Sequence, residues 1–83
     1  MYSIWKFTLD TEIEMPEGSD IISVADQDGM LCMWAIVDPL ARKEKRHFRI
    51  IGTGHNIESM RGMRWIGTAH QSQFVWHVFE VGI

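Results

Sequence analysis

Apolar and polar side chains alternate along most of this chain with a two-residue period, which is the pattern of half-buried strands and not of helices. From Ile4 to Leu9 it places Trp5, Phe7 and Leu9 on one face and Lys6 and Thr8 on the other. Met15-Pro16-Glu17-Gly18 interrupts the pattern and reads as a turn. Ile21 to Ala25 resumes it, and Asp28-Gly29, set between two apolar runs, is a hairpin signal. Met30 to Val37 is apolar on both faces, which predicts a central strand covered on both sides, by the rest of the domain or by another subunit. Asp38-Pro39 stops that run, and a polar connection leads to Glu44. From Lys45 the alternation returns, with Arg46, Phe48 and Ile50 facing one way and His47, Arg49 and Ile51 the other. Gly62 to Thr68 and Phe74 to Val81 supply the last two strands. Trp5 and Trp34 are expected in the core, and His77 on a face shared with Val75, Phe79 and Val81.

No window sustains a helical period over three turns, and Asn56 to Arg61 has room for one turn only. The expected fold is therefore mainly β: a small antiparallel domain of six or seven strands, mostly joined as a meander, covering residues 1–83. The alternative is an α+β variant with one short helix around 39–45 or 56–62.

Composition narrows the picture. Eighty-three residues, 46% of them apolar, bury one modest core. The single Cys32 supplies neither a disulfide framework nor a Cys-rich zinc site. Lys6, Asp10, Glu12, Glu14 and Glu17 exclude a signal peptide or membrane span over the first eighteen residues, so the expected location is the cytoplasm, with no membrane partner. Four Trp and six Met exceed what an isolated core of this size needs, which points to a homo-oligomer or an aromatic ligand pocket.

The net charge of −3 is unevenly spread. Residues 1–38 hold eight acids against Lys6, and residues 39–83 hold seven bases against Glu44, Glu58 and Glu80. Five of those bases fall between Arg42 and Arg49. This run is either a solvated strand or a local positive field suited to a small anion. A long nucleic acid is not an expected partner, because the acidic half would repel its backbone. Head-to-tail association of the two halves is a further reading.

Arg49-Ile50-Ile51-Gly52-Thr53-Gly54-His55 and Arg64-Trp65-Ile66-Gly67-Thr68-Ala69-His70 match at five of seven positions. The bland reading is two strands that both end in a Gly-Thr kink. The functional one is a pair of rims, each offering an Arg, a hydroxyl, unhindered backbone amides and a His, the groups that hold a phosphate without metal. Strict alternation puts Met63, Trp65 and Gly67 on one side, opposite Arg64, Ile66 and Thr68, so that Trp65 is either a stacking platform for a nucleobase or an interface residue. Trp76, before His77 on the last strand, is a second stacking candidate.

Other chemistry finds little support. His47, His55, His70 and His77 show no metal-ligand spacing on one element, so neither a metal nor another cofactor is expected. Thr53-Gly54-His55 and Thr68-Ala69-His70 reverse the His-x-Thr order of two-histidine phosphoesterases, and there is no nucleophile elbow or phosphate-binding loop. No catalytic residue is assigned. Cys32, in the most apolar strand, is an inert core residue.

Ile4-Trp5-Lys6-Phe7, Trp34 to Pro39, Arg49 to His55, Ile66-Gly67-Thr68 and above all Phe74-Val75-Trp76-His77-Val78-Phe79-Glu80 resemble a family of short, mostly uncharacterised bacteriophage proteins. The resemblance extends to phage sponge proteins, oligomers that sequester the cyclic nucleotide signals of bacterial immunity, and it implies a place in the host cell cytoplasm. It carries no site residue. The expected function is thus non-catalytic: a homo-oligomer that counters anti-phage defence by sequestering a small phosphate-bearing nucleotide of the cyclic-dinucleotide class. Arg49 and Arg64 would meet phosphate, Thr53 and Thr68 would give hydroxyl contacts, Trp65 or Trp76 would stack on a base, and His55 and His70 would make polar edge contacts. The alternative is a protein–protein inhibitor of a host defence complex, of the anti-CRISPR type, acting through the acidic first half.

Overall fold

A computed structural model describes residues 1–82 and contains seven strands: β1 (Ser3–Thr8), β2 (Glu12–Pro16), β3 (Asp20–Gln27), β4 (Met30–Val37), β5 (Lys43–Gly52), β6 (Met63–Gln71) and β7 (Phe74–Val81). All pairings are antiparallel, as alternation predicts. No helix occurs among the described residues, so the α+β alternative fails. At 39–41 the chain makes a turn, with the Leu40 amide donating to Asp38 Oδ1 at 3.0 Å and the Ala41 amide to the Asp38 carbonyl at 3.1 Å. Residues 53–62 form a loop. No helix among the described residues is long and apolar enough to cross a membrane.

The strands are not a meander. They form a three-stranded sheet in the order β1-β4-β3 and a four-stranded sheet in the order β2-β5-β7-β6. Only β3–β4 and β6–β7 are sequential hairpins. The first turns at Asp28-Gly29, both at positive φ (52° and 88°), as a two-residue hairpin turn requires. The segment 15–18, expected to be a turn, instead gives Met15 and Pro16 to β2, and the turn lies at Glu17-Gly18. Glu12 and Glu14 point outward while Ile13 and Met15 are buried.

One apolar layer joins the sheets. Ile13 and Met15 from β2, Met33 from β4 and Phe48 from β5 form its centre. Phe7, Leu9, Ile21, Val24 and Ile66 pack against it. β4 is central, but only its inward residues Met33, Ala35 and Val37 are fully covered. Its outward side leaves Trp34 and Ile36 half-buried and Met30 exposed, so the expected cover on both faces is not provided within this chain. Trp34 is accordingly no core residue, and Trp5, on the inward face, is only half-buried. Cys32 also points outward yet is buried: it pairs with Thr8 and Ala25, and the Lys6 Nζ to Gln27 Oε1 bond of 2.7 Å spans it.

The charge asymmetry along the chain is offset in part in the fold, because β2 lies beside β5. Arg42 bonds Glu17 at 2.6 Å, and Lys45 and His47 lie 3.9 and 3.2 Å from Glu12. Arg46 turns inward and makes a bidentate pair with Glu80 at 2.6 and 2.7 Å, while its Nη1 donates to the Ser19 carbonyl. Three of the five bases in the run are thus paired with carboxylates, and Lys43 and Arg49 are in none of the ion pairs among the described residues.

Candidate functional site

β5 and β6 flank β7 on either side, so the two copies of the repeated segment lie on opposite sides of one strand. Cross-strand register then decides which repeated residues meet. Thr53 follows β5, with its amide continuing the ladder to the Val75 carbonyl at 3.1 Å. Thr68 pairs directly with His77. Both hydroxyls reach the His77 ring: Thr53 Oγ1 is 2.8 Å from Nε2, and Thr68 Oγ1 is 3.1 Å from Nδ1. Trp65 Nε1–H donates to Thr68 Oγ1 at 3.1 Å. Trp65, Thr68, His77 and Thr53 are thus one hydrogen-bonded chain on the outward face of the four-stranded sheet. His77 is half-buried and bonded, as its strand face predicts, but its partners are the two repeated threonines.

A β-bulge makes this possible. Trp65 pairs with Phe79 and Gly67 with Val78, which leaves Ile66 as the extra residue. The slip reverses the expected parity: Gly67 faces inward, and Thr68 joins Trp65 on the outward face. It also separates the two arginines. Arg49 pairs with Phe79 and points outward. Arg64 pairs with Glu80 and points inward, its Nη2 2.9 Å from Glu80 Oε1. Arg64 is therefore part of an ion cluster with Arg46 and does not share a surface with Arg49. The close hydrogen bonds of Arg46 hold the Glu80 carboxyl below its usual range against the opposing effect of burial, with a smaller contribution from Arg64, and Glu80 in turn raises Arg46.

The outward face now has a definite make-up. Arg49, Phe79 and Trp65 form one cross-strand row, and Trp65 is 58% exposed. None of the ion pairs among the described residues includes Arg49; its Nη1 touches Met63 Sδ at 3.6 Å. The outward positions of β5, β6 and β7 carry no carboxylate, since Glu44 and Glu80 both face inward. Beside the row is a hollow of about 280 Å³ lined by Ile51, Thr53, Gly54, Ile57, His77 and Phe79, among others. Such a surface can hold an anion at Arg49 and at the one threonine hydroxyl that accepts from the neutral His77 ring and so keeps its own O–H free, and a planar group on Trp65 and Phe79. His70 lies on the same face, opposite Val75, and is exposed.

Trp76 is elsewhere, and His55 lies between the outward hollow and Trp76. Trp76 pairs with Gly52 and Ala69 on the inward face, and its Nε1–H donates to Gln71 Oε1 at 3.1 Å. His55 folds under Gly52, edge-on to Trp76 at a centroid distance of 6.3 Å. His55 thus stands at the strand end between the two hollows, its ring against Trp76 while it also lines the outward one. The expected set divides into Arg49, Thr53, Trp65, Thr68 and His70 on one face, Trp76 on the other, His55 between them, and Arg64 in the ion cluster. His77, Phe79 and Ile57 were not among the expected site residues. Parity placed His77 and Phe79 on one face, but only the pairing of β7 between β5 and β6 brings the threonines to them.

No group of three or more His, Cys, Asp or Glu is placed to hold a metal among the described residues. No curated protein and no solved structure matches the chain. A family described as "Domain of unknown function (DUF7352)" matches residues 1–82, and the chain belongs to that family.

Proposed function

We propose that this chain is a non-catalytic binding protein that captures a small phosphate-bearing nucleotide on the outward face of its four-stranded sheet. The observation that carries the reading is the row Arg49–Phe79–Trp65: an arginine in none of the ion pairs among the described residues, beside an exposed tryptophan. Arg49 meets the phosphate, whichever of the Thr53 and Thr68 hydroxyls accepts from the His77 ring adds a neutral contact, and Trp65 stacks on a base. His77 is a positioning residue, because both its ring nitrogens are engaged by the threonines. In the phage setting that the sequence resemblance implies, the ligand is an immune signal of the cyclic-dinucleotide class, and a homo-oligomer in the host cytoplasm sequesters it by affinity alone.

The test is calorimetric titration of the protein with cyclic dinucleotides, cyclic trinucleotides and cyclic ADP-ribose isomers, with mass identification of the compound released on denaturation. The expected result is tight binding, intact release and loss of binding in Arg49→Ala. No binding across the panel, or release of an altered compound, overturns the proposal. The protein–protein inhibitor reading is weaker, since Glu12 and Glu17 of the acidic half are already paired within the chain.

A further inference from the structure

The outward site leaves unused a second hollow at the same strand end, on the Trp76 side. It has a volume of about 330 Å³, and Gly52, Thr53, His55, Gln73, Phe74 and Trp76 contribute to its lining. Three rings frame it. Phe74 and Trp76 lie near-parallel, 25° apart with centroids at 5.6 Å, and His55 meets Trp76 at 70°. Phe74 is 50% exposed, so a large apolar ring is kept in solvent at the mouth.

The seat of His55 is built into the backbone. The Gly52 amide donates to His55 Nδ1 at 3.3 Å, which makes Nδ1 the acceptor and leaves the proton of the neutral ring on Nε2. A Cβ at position 52 would lie 2.9 Å from His55 Cε1. Gly52 has no left-handed φ, so the glycine supplies room for the imidazole and not a special backbone conformation. The Trp76 Nε1–H is bonded to Gln71, whose own amide reaches Asp26 Oδ1 and the Gly29 carbonyl at 2.8 and 3.0 Å. The indole is thereby anchored by its polar edge to both sheets. The hollow thus combines fixed aromatic rings with one imidazole N–H free of any partner among the described residues.

We propose that this hollow binds a planar heteroaromatic ring with a hydrogen-bond acceptor on its edge, of the purine kind. The ring packs against Phe74 and Trp76, and His55 Nε2–H donates to a ring nitrogen or carbonyl. Its volume suits one ring system and not a whole dinucleotide. Naming the ring a nucleobase rests on the nucleotide reading above; the hollow does not involve Arg49.

Two probes separate the two proposals. Adenosine carries the base without phosphate, and ribose 5-phosphate carries phosphate without the base. Each is titrated into the full chain while the Trp76 indole, His55 ring and Arg49 guanidinium resonances are followed. Adenosine is expected to shift Trp76 and His55 and to leave Arg49 unmoved. Because Phe74 is exposed, Phe74→Ala should keep the native spectrum while weakening adenosine by about tenfold. Gly52→Ala, which evicts the imidazole, should weaken it as well. Adenosine that leaves Trp76 unmoved, whether it binds at Trp65 or not at all, or that binds Phe74→Ala as it binds the parent, overturns the inference, since His55 borders both hollows. Ribose 5-phosphate at Arg49 with adenosine silent would leave the outward site standing alone. Adenosine in the hollow with no phosphate compound at Arg49 would do the reverse.

Discussion

Val24 occupies the space that a side chain on Gly67 would need: a Cβ at that position would lie 2.7 Å from Val24 Cγ2 and 2.9 Å from its Cβ. The glycine in the second repeated segment is therefore a packing device between β3 and β6, not an opening for a ligand. Gly67→Ala should destabilise the protein by about 1–3 kcal/mol, the usual cost of overpacking. The double variant Gly67→Ala/Val24→Ala should recover a substantial part of that, which denaturant titration of the three variants would measure. Additive losses would show that Val24 is not the obstacle.

Acid stability should depend on Glu80. Its folded-state pKa lies below the ordinary value, chiefly through its hydrogen bonds with Arg46, so its contribution is complete above the ordinary carboxylate range and is lost as pH falls through the depressed value. The side chains of Arg46 and Glu80 are only 13% and 15% exposed, and removing one partner leaves the other charge uncompensated. Glu80→Gln should cost about 3–5 kcal/mol at neutral pH, a large share of the stability of so small a domain. The parent should lose stability between neutral pH and pH 3 more steeply than Glu80→Gln does.

The two arginines of the repeat should behave differently. Arg49→Ala should abolish ligand capture and change stability by no more than about 0.5 kcal/mol, as surface substitutions do. Arg64 is 73% exposed and shares Glu80 with Arg46, so Arg64→Ala should cost at most about 1 kcal/mol and leave capture intact. Calorimetry and thermal unfolding of both variants would check this. Equal loss of binding in both would mean that one phosphate needs both arginines, against their placement on opposite faces of the sheet.

Thr68 accepts from the Trp65 indole and is bonded to the His77 ring. Thr68→Val should lower stability by about 1 kcal/mol and release the Trp65 side chain. Faster indole hydrogen exchange and lower fluorescence anisotropy would report that release, whereas Thr53→Val should leave Trp65 as it is.

Alternation was enough to find β1, β5 and β7 and to set their faces, because nothing in those runs breaks the period, whereas β4 was legible only as an unbroken apolar run whose faces no alternation marks. Asp28-Gly29 announced its turn through residue types that tolerate positive φ. β2 was obscured because it is an edge strand of five residues, with two glutamates outward and Pro16 at its end. The bulge at Ile66 left no local mark, yet one extra residue moved Gly67 inward, Thr68 outward and Arg64 away from Arg49. The repeat identified Thr53 and Thr68 as a pair. That His77 stands between them depends on long-range pairing, which no spacing in the chain encodes. The charge division along the sequence does not show its own pairing for the same reason, since it is the pairing of β2 with β5 that sets Glu12 beside Lys45 and His47.

β7 follows β5 and β6 in the chain but lies between them in the sheet. During synthesis the two older strands have no mutual edge to close on, and each exposes unsatisfied amides and carbonyls until the later one arrives. The four-stranded sheet therefore cannot be complete before its last strand is made. The Trp65–Thr68–His77–Thr53 chain needs that strand too, so a nascent chain lacking β7 would carry both threonines and no site.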